Sequence, residues 1–368
     1  MGLTGSLLPW VVGLVLVVLL VLIVWGRPRW RSEIAQGATR GLLAMLLAVV
    51  VLMQVGIAVN NKYVWYSSWG DLVGNHSSYT TITGGGNAPE PTKVAGAGIP
   101  APTAAANYAL PAAGQQEQIY TVKDEASNQN MEVEVHLPAG YDPTSTRKYP
   151  ILLGLHGYPS SPHGFMATSI VSSVDKAIAS HKMGPAIVVV PQINNPTSRD
   201  TECLNGPAGT PQTETWLSKE LPQWIVNHVH ASDVRTGWAA IGYSFGGWCA
   251  AFLTMSHPDV YGAGISFSGY FVPSYEGSFH PYTTAQLQRW NLITMAKEKR
   301  PPVKVWLFAS KQDSIAWPTS RDFIAAAKAP TEVKAAVISV GGHRNSVWEP
   351  LVPDALSWLA AGLPGFAA

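Results

Sequence analysis

Trp238-Ala-Ala-Ile-Gly-Tyr-Ser244-Phe-Gly-Gly-Trp-Cys249-Ala-Ala-Phe-Leu253 reads as an apolar strand that turns sharply and leaves as a helix. Inside it, Gly242-Tyr-Ser-Phe-Gly246 matches G-x-S-x-G. The pentapeptide alone is a weak signal; the strand before it and the helix after it give it weight. A turn this tight needs glycine on both sides, because a Cβ there would meet neighbouring backbone. It lifts the Ser244 hydroxyl clear of the sheet, at the positive end of the next helix.

On either side of this stretch, β-rich runs are predicted at 118–122, 131–137, 151–155, 186–190, 237–241, 262–267, 303–308 and 333–340. Helices are predicted between them at 165–181, 214–228, 249–256, 320–327 and 347–359. Apolar strands alternating with amphipathic helices imply an α/β fold, with a mostly parallel sheet covered on both faces. The first two runs have no helix between them and are predicted to pair as an antiparallel edge hairpin.

A serine hydroxyl is a weak nucleophile that needs a base, and the base needs an orienting acid. After a turn of this kind the chain order is Ser, acid, His. His343 lies in Gly341-Gly-His-Arg-Asn, directly after the strand ending at Val340, on the edge that Ser244 occupies. His280 sits in an aromatic insertion and His257 in a helix-stopping His-Pro-Asp, so His343 is the predicted base. Asp313 follows the run 303–308 and is the predicted acid. Asp259, Glu276, Asp322 and Glu332 lie at helix ends, beside helices or in the insertion, and read as surface charges. Two backbone N–H groups must hold the developing oxyanion. The candidates are Phe245, next to the nucleophile, and Tyr158, in Leu155-His-Gly-Tyr after an early strand. His156 reads as a hydrogen-bonded brace of that loop.

Cys203 lies in Asp200-Thr-Glu-Cys and Cys249 on the helix after Ser244. Loops after parallel strands gather at one edge, so a Cys203–Cys249 disulfide is predicted in an oxidising compartment, two free thiols being the alternative. The insertion 270–300 is rich in Tyr, Phe and Trp and fits either a cap over the site or packing onto the body.

The N-terminal part is different. Apolar runs at 7–25 and 41–59 each approach the roughly 20 residues that cross a bilayer core, predicting a transmembrane hairpin over 1–62. Trp10 and Trp25 suit the interfaces. Between the runs, Arg27, Arg29, Arg31 and Arg40 face a single Glu33, which predicts a cytoplasmic loop and a globular domain outside the cytoplasm; Lys62 argues weakly the other way. The Gly/Pro/Ala-rich stretch 63–117 reads as a flexible linker, spanning about 40 Å as a coil. The globular domain is then 118–368. Charged residues make up only 13% of the 368, against about 25% in an ordinary soluble chain, as a membrane segment requires. A net charge of +1 excludes a nucleic-acid partner. Two cysteines and no HExxH exclude a structural zinc site, and no metal or cofactor is expected.

Taken together, Leu155-His-Gly-Tyr, Asp200-Thr-Glu-Cys, Gly242-Tyr-Ser-Phe-Gly-Gly-Trp-Cys and Gly341-Gly-His resemble the esterase family that includes esterase D and the antigen 85 mycolyltransferases. The likeness extends over roughly 118–359. It implies an α/β-hydrolase fold and a triad of Ser244, Asp313 and His343 acting on esters or moving acyl groups. Antigen 85 enzymes use Glu as the acid and lack a two-helix anchor, whereas this chain offers Asp313. The expectation is a membrane-anchored serine esterase or acyltransferase acting on an ester or acyl-lipid substrate. Mycolyl-type transfer to an envelope sugar and a non-catalytic wall-anchored binding module are the alternatives.

Overall fold

The computed structural model describes residues 2–26, 32–74, 79–85, 98–112 and 114–368. Among them, nine strands form one sheet: β1 (Thr80–Gly85), β2 (Glu117–Asp124), β3 (Gln129–His136), β4 (Ile151–Leu155), β5 (Ile187–Pro191), β6 (Trp238–Tyr243), β7 (Ala263–Phe267), β8 (Lys304–Ser310) and β9 (Glu332–Ile338). Their order is β1-β9-β8-β7-β6-β4-β5-β3-β2. The six strands from β9 to β5 run parallel, while β3 and β2 continue antiparallel on one side and β1 on the other. Every residue of β4, β5 and β7 is buried, which follows from their almost wholly apolar sequence, Ser266 being the one polar residue: a parallel strand covered on both faces has no polar side.

One face packs the helices Leu221–His228, Phe245–Ser256 and Trp317–Ala326, with Trp216, Trp248 and Phe323 at its centre. The other packs Ser169–Ala179 and Val352–Gly362, with Phe165, Trp348 and Leu356. Because β4, β6, β8 and β9 are parallel, their carboxyl ends share one edge, where such sheets place their chemistry.

Two long helices precede the sheet: α1 (Leu7–Trp25) and α2 (Glu33–Tyr63). Both are long and apolar enough to cross a membrane, and little of either is buried in the protein. They pair antiparallel, Asn61 exchanging hydrogen bonds with the backbone of Gly5 at 3.1 and 3.2 Å. Helix α2 starts earlier than the apolar run predicts, because Glu33 to Arg40 are mostly good helix formers that simply extend it. Arg40 therefore lies on the helix, whereas Arg27, Arg29 and Arg31 of the expected cytoplasmic loop fall outside the described residues.

The stretch 63–117, predicted to be a flexible linker, is built into the domain wherever it is described. It holds a short helix, Trp69–Leu72, and the edge strand β1. Further on, the Gly98 N–H donates to Asp259 at 2.9 Å, the Thr103 N–H to Asn227 at 2.8 Å, and Ile99 packs on the core. The composition misleads for a physical reason. Strand β1 is mostly exposed and is held by its backbone ladder to β9, so no apolar alternation marks it.

Candidate active site

Ser244 stands between β6 and the helix Phe245–Ser256 with φ 56° and ψ −123°, a backbone conformation that a side chain adopts only under constraint. Several contacts enforce it. The Ser244 N–H donates to the Phe267 carbonyl at 2.8 Å, and the Ser244 carbonyl accepts from the Trp248 N–H at 3.1 Å. A Cβ on Gly242 would lie 2.2 Å from the Gly246 carbonyl oxygen, and one on Gly246 would lie 2.0 Å from that of Leu155. The glycines are what allow the chain to cross itself beneath the serine.

His343 Nε2 lies 2.8 Å from Ser244 Oγ, and its Nδ1 lies 2.7 Å from Asp313 Oδ2. Asp313 is fully buried. Its other oxygen accepts the N–H groups of Ile315 and Ala316 at 3.0 and 3.1 Å, so the turn after β8 fixes the carboxylate plane. With an acceptor facing Nδ1, the ring carries its proton there and turns a lone pair toward the hydroxyl. The three predicted side chains thus meet, each from the carboxyl end of a different parallel strand.

Tyr158 lines the cavity over Ser244, and Phe245 opens the following helix, whose first N–H groups have no partner within the helix. His156 is wholly buried. Its Nδ1 donates to the Gly157 carbonyl at 2.7 Å and its Nε2 accepts the Ile193 N–H at 3.3 Å. Burial pushes its pKa down to about 4, the Gly157 bond opposing, so it is a neutral brace. His280 bonds the Gly277 carbonyl at 2.8 Å and His257 bonds Glu214 at 3.1 Å, neither of them lining the cavity.

Cys203 and Cys249 form a disulfide, with Cα atoms 5.7 Å apart. It ties the loop after β5 to the helix that follows Ser244. Beside it, the Trp248 indole donates to the Glu202 carbonyl at 2.9 Å and the Tyr270 hydroxyl to the Glu202 carboxyl at 2.6 Å. Asp200 accepts the N–H groups of Glu276 at 2.6 Å and Glu202 at 2.9 Å. The insertion 270–300 is therefore fastened to the 200–205 loop, and none of its side chains lines the Ser244 cavity.

The sequence gives little warning of a second support. Directly after α2, Val64 turns the chain with φ 49° and its carbonyl accepts the His343 N–H at 2.8 Å. Asp71, fully buried, accepts the Gly342 N–H at 3.0 Å and takes Arg344 bidentately at 2.6 and 2.8 Å. Burial disfavours its charge, but the Arg344 guanidinium and the Ser67 N–H outweigh that and hold its carboxyl below the usual range. Residues 342, 343 and 344 are thus all held by the segment leaving α2. Trp65 and Tyr66 of that segment wall the cavity together with Tyr158, Tyr243 and Trp348; its volume is about 440 Å³. The only cue in the sequence is the aromatic cluster Tyr63-Val-Trp-Tyr66 after the apolar run.

The family model described as "Putative esterase" matches residues 125–360. The chain belongs to this family. With it come the serine hydrolases and acyltransferases of the α/β-hydrolase fold. An uncharacterized protein of Corynebacterium glutamicum is 26% identical over 140 residues, 38% of this chain and 32% of that protein. The diacylglycerol acyltransferase/mycolyltransferase Ag85B of Mycolicibacterium smegmatis is 39% identical over 72 residues, 20% of this chain and 22% of that one. The matched stretches therefore span a third or less of these curated relatives. A solved ferulic acid esterase superposes with a TM-score of 0.56 at 19% identity, covering 67% of this chain and 98% of its own, which shows the fold.

Proposed function

We propose that this family member is a membrane-anchored serine esterase or acyltransferase working through Ser244, His343 and Asp313. The observation that carries this reading is the His343 ring, with Ser244 Oγ 2.8 Å from one nitrogen and Asp313 2.7 Å from the other. His343 Nε2 takes the Ser244 proton as Oγ bonds to the ester carbonyl carbon. The N–H groups of Tyr158 and Phe245 hold the oxyanion that forms. Collapse breaks the bond to the alcohol oxygen, which leaves with the proton from His343. Water or an acceptor alcohol then gives a proton to His343, attacks the acyl-serine and regenerates the hydroxyl. Asp313 orients the ring and stabilises the imidazolium throughout.

The partial likeness to a named mycolyltransferase supports transfer to an alcohol beside simple hydrolysis. Helices α1 and α2 serve as the anchor, with the Arg27, Arg29 and Arg31 loop cytoplasmic and the catalytic domain outside. The test is labelling by a fluorophosphonate probe. The wild type is expected to label and Ser244→Ala to stay blank with its fold intact; equal labelling of both discards the mechanism.

A further inference from the structure

The end of α2 fixes how far the catalytic serine stands from the membrane. The apolar run of α2 closes at Val59 and the helix continues to Tyr63, which at 1.5 Å per residue is about 6 Å further along its axis. The polar layers of a bilayer add roughly 5–8 Å on each side of the hydrocarbon core. With α2 spanning a bilayer, Val64 falls at the depth of the headgroup layer, and its carbonyl accepts the His343 N–H directly. Through Asp71, Gly342 and Arg344 the segment leaving α2 is fastened directly to the loop that carries His343. Ser244 lies one imidazole beyond.

The same segment carries apolar groups that water alone does not explain. Trp65, Trp69 and Leu72 are each nearly half exposed, and Val73 is 80% exposed. An aromatic and aliphatic cluster at the exit of an apolar helix is the composition of an interfacial belt. Trp65 also walls the Ser244 cavity, so belt and pocket are continuous.

We propose that the Ser244 cavity opens in the headgroup layer of the bilayer that α1 and α2 cross, and that its acyl donor is an ester amphiphile resident in that leaflet. This rests on the acyl-transfer reading above and adds to it where the substrate comes from. An acyl lipid carries its ester carbonyl between tail and headgroup, the depth at which the cavity stands. The donor enters sideways past Trp65 and Tyr66 with its tail still among other tails. The attack on its carbonyl and the loss of its alcohol follow the steps already written.

The full chain reconstituted in phosphatidylcholine–phosphatidylglycerol vesicles tests both depth and source. Both native cysteines are bridged, so Val73→Cys offers a single thiol for an environment-sensitive fluorophore. Val234→Cys is the control: Val234 is exposed and lies before β6, at the opposite edge of the sheet from Ser244. Headgroup-level spin-labelled lipids are expected to quench the probe at 73 and spare the one at 234; equal quenching at both overturns the depth. In the same vesicles, Leu72→Ser/Val73→Ser is expected to lower turnover of a bilayer-embedded fluorogenic diacylglycerol ester by about tenfold. Turnover of soluble p-nitrophenyl butyrate should not change. If the soluble ester is cleaved and the embedded one is not, the source is wrong while the acyl-transfer reading stands. If neither is cleaved and Ser244 does not label, that reading falls, and quenching at 73 still decides the depth.

Discussion

Asp71 and Arg344 are 273 positions apart in the sequence, yet their ion pair grips both neighbours of His343. Such a pair acts through geometry. Misplacing a reacting group by about 1 Å costs about 100-fold in rate. Asp71→Asn is therefore expected to cut kcat by about 10- to 100-fold with KM little changed, read on a soluble ester. Asp313→Asn, which disturbs the imidazole tautomer itself, should cost about 10⁴-fold. Away from the serine, burial pushes the Asp200 carboxyl up to about 6, the N–H groups of Glu276 and Glu202 opposing. Its folded form holds a proton that the unfolded form, near 3.8, releases sooner. The stability it contributes is thus complete below about pH 4 and lost as pH rises through about 6, on the order of 2–3 kcal/mol. The difference in urea-unfolding free energy between wild type and Asp200→Asn should follow that curve; a flat difference counts against it. The meeting of Ser244, Asp313 and His343 was legible because each follows the carboxyl end of a parallel strand in a fixed chain order. Asp71 was not, since an acid in a polar stretch shows nothing of a cation so far along the chain.

At the scale of elements, the disulfide joins the 200–205 loop to the helix after Ser244 across 46 residues. Closing a loop of that size removes unfolded-state entropy worth about 2–4 kcal/mol. Reduction, or Cys203→Ser with Cys249→Ser, is expected to lower urea-unfolding stability by that amount. The parallel strands were readable from apolar runs because both their faces are buried. Strand β1, Thr-Thr-Ile-Thr-Gly-Gly, was not readable, since what stabilises it is main-chain pairing with Glu332–Ile338 and not side-chain burial. Polar threonines and glycines at 80–85 look the same in a coil and on an exposed edge.

Across the whole molecule, the segment leaving α2 and the sheet domain are joined by direct hydrogen bonds. A chain beginning at residue 64 keeps Val64, Asp71 and β1 and should retain soluble-ester turnover. One beginning at residue 98 loses all three; its kcat should fall about 100-fold, and its bare β9 edge should show as oligomers in size-exclusion chromatography. That an α/β sheet with helices on both faces lies after about residue 118 could be read from periodicity; that β1 at 80–85 completes it could not. The placement of β1 beside β9 also has a meaning for biosynthesis. The first strand to leave the ribosome must wait for the last of the nine before its ladder can form. Any product that stalls before residue 332 carries an unmated strand, a standing signal for quality-control proteases.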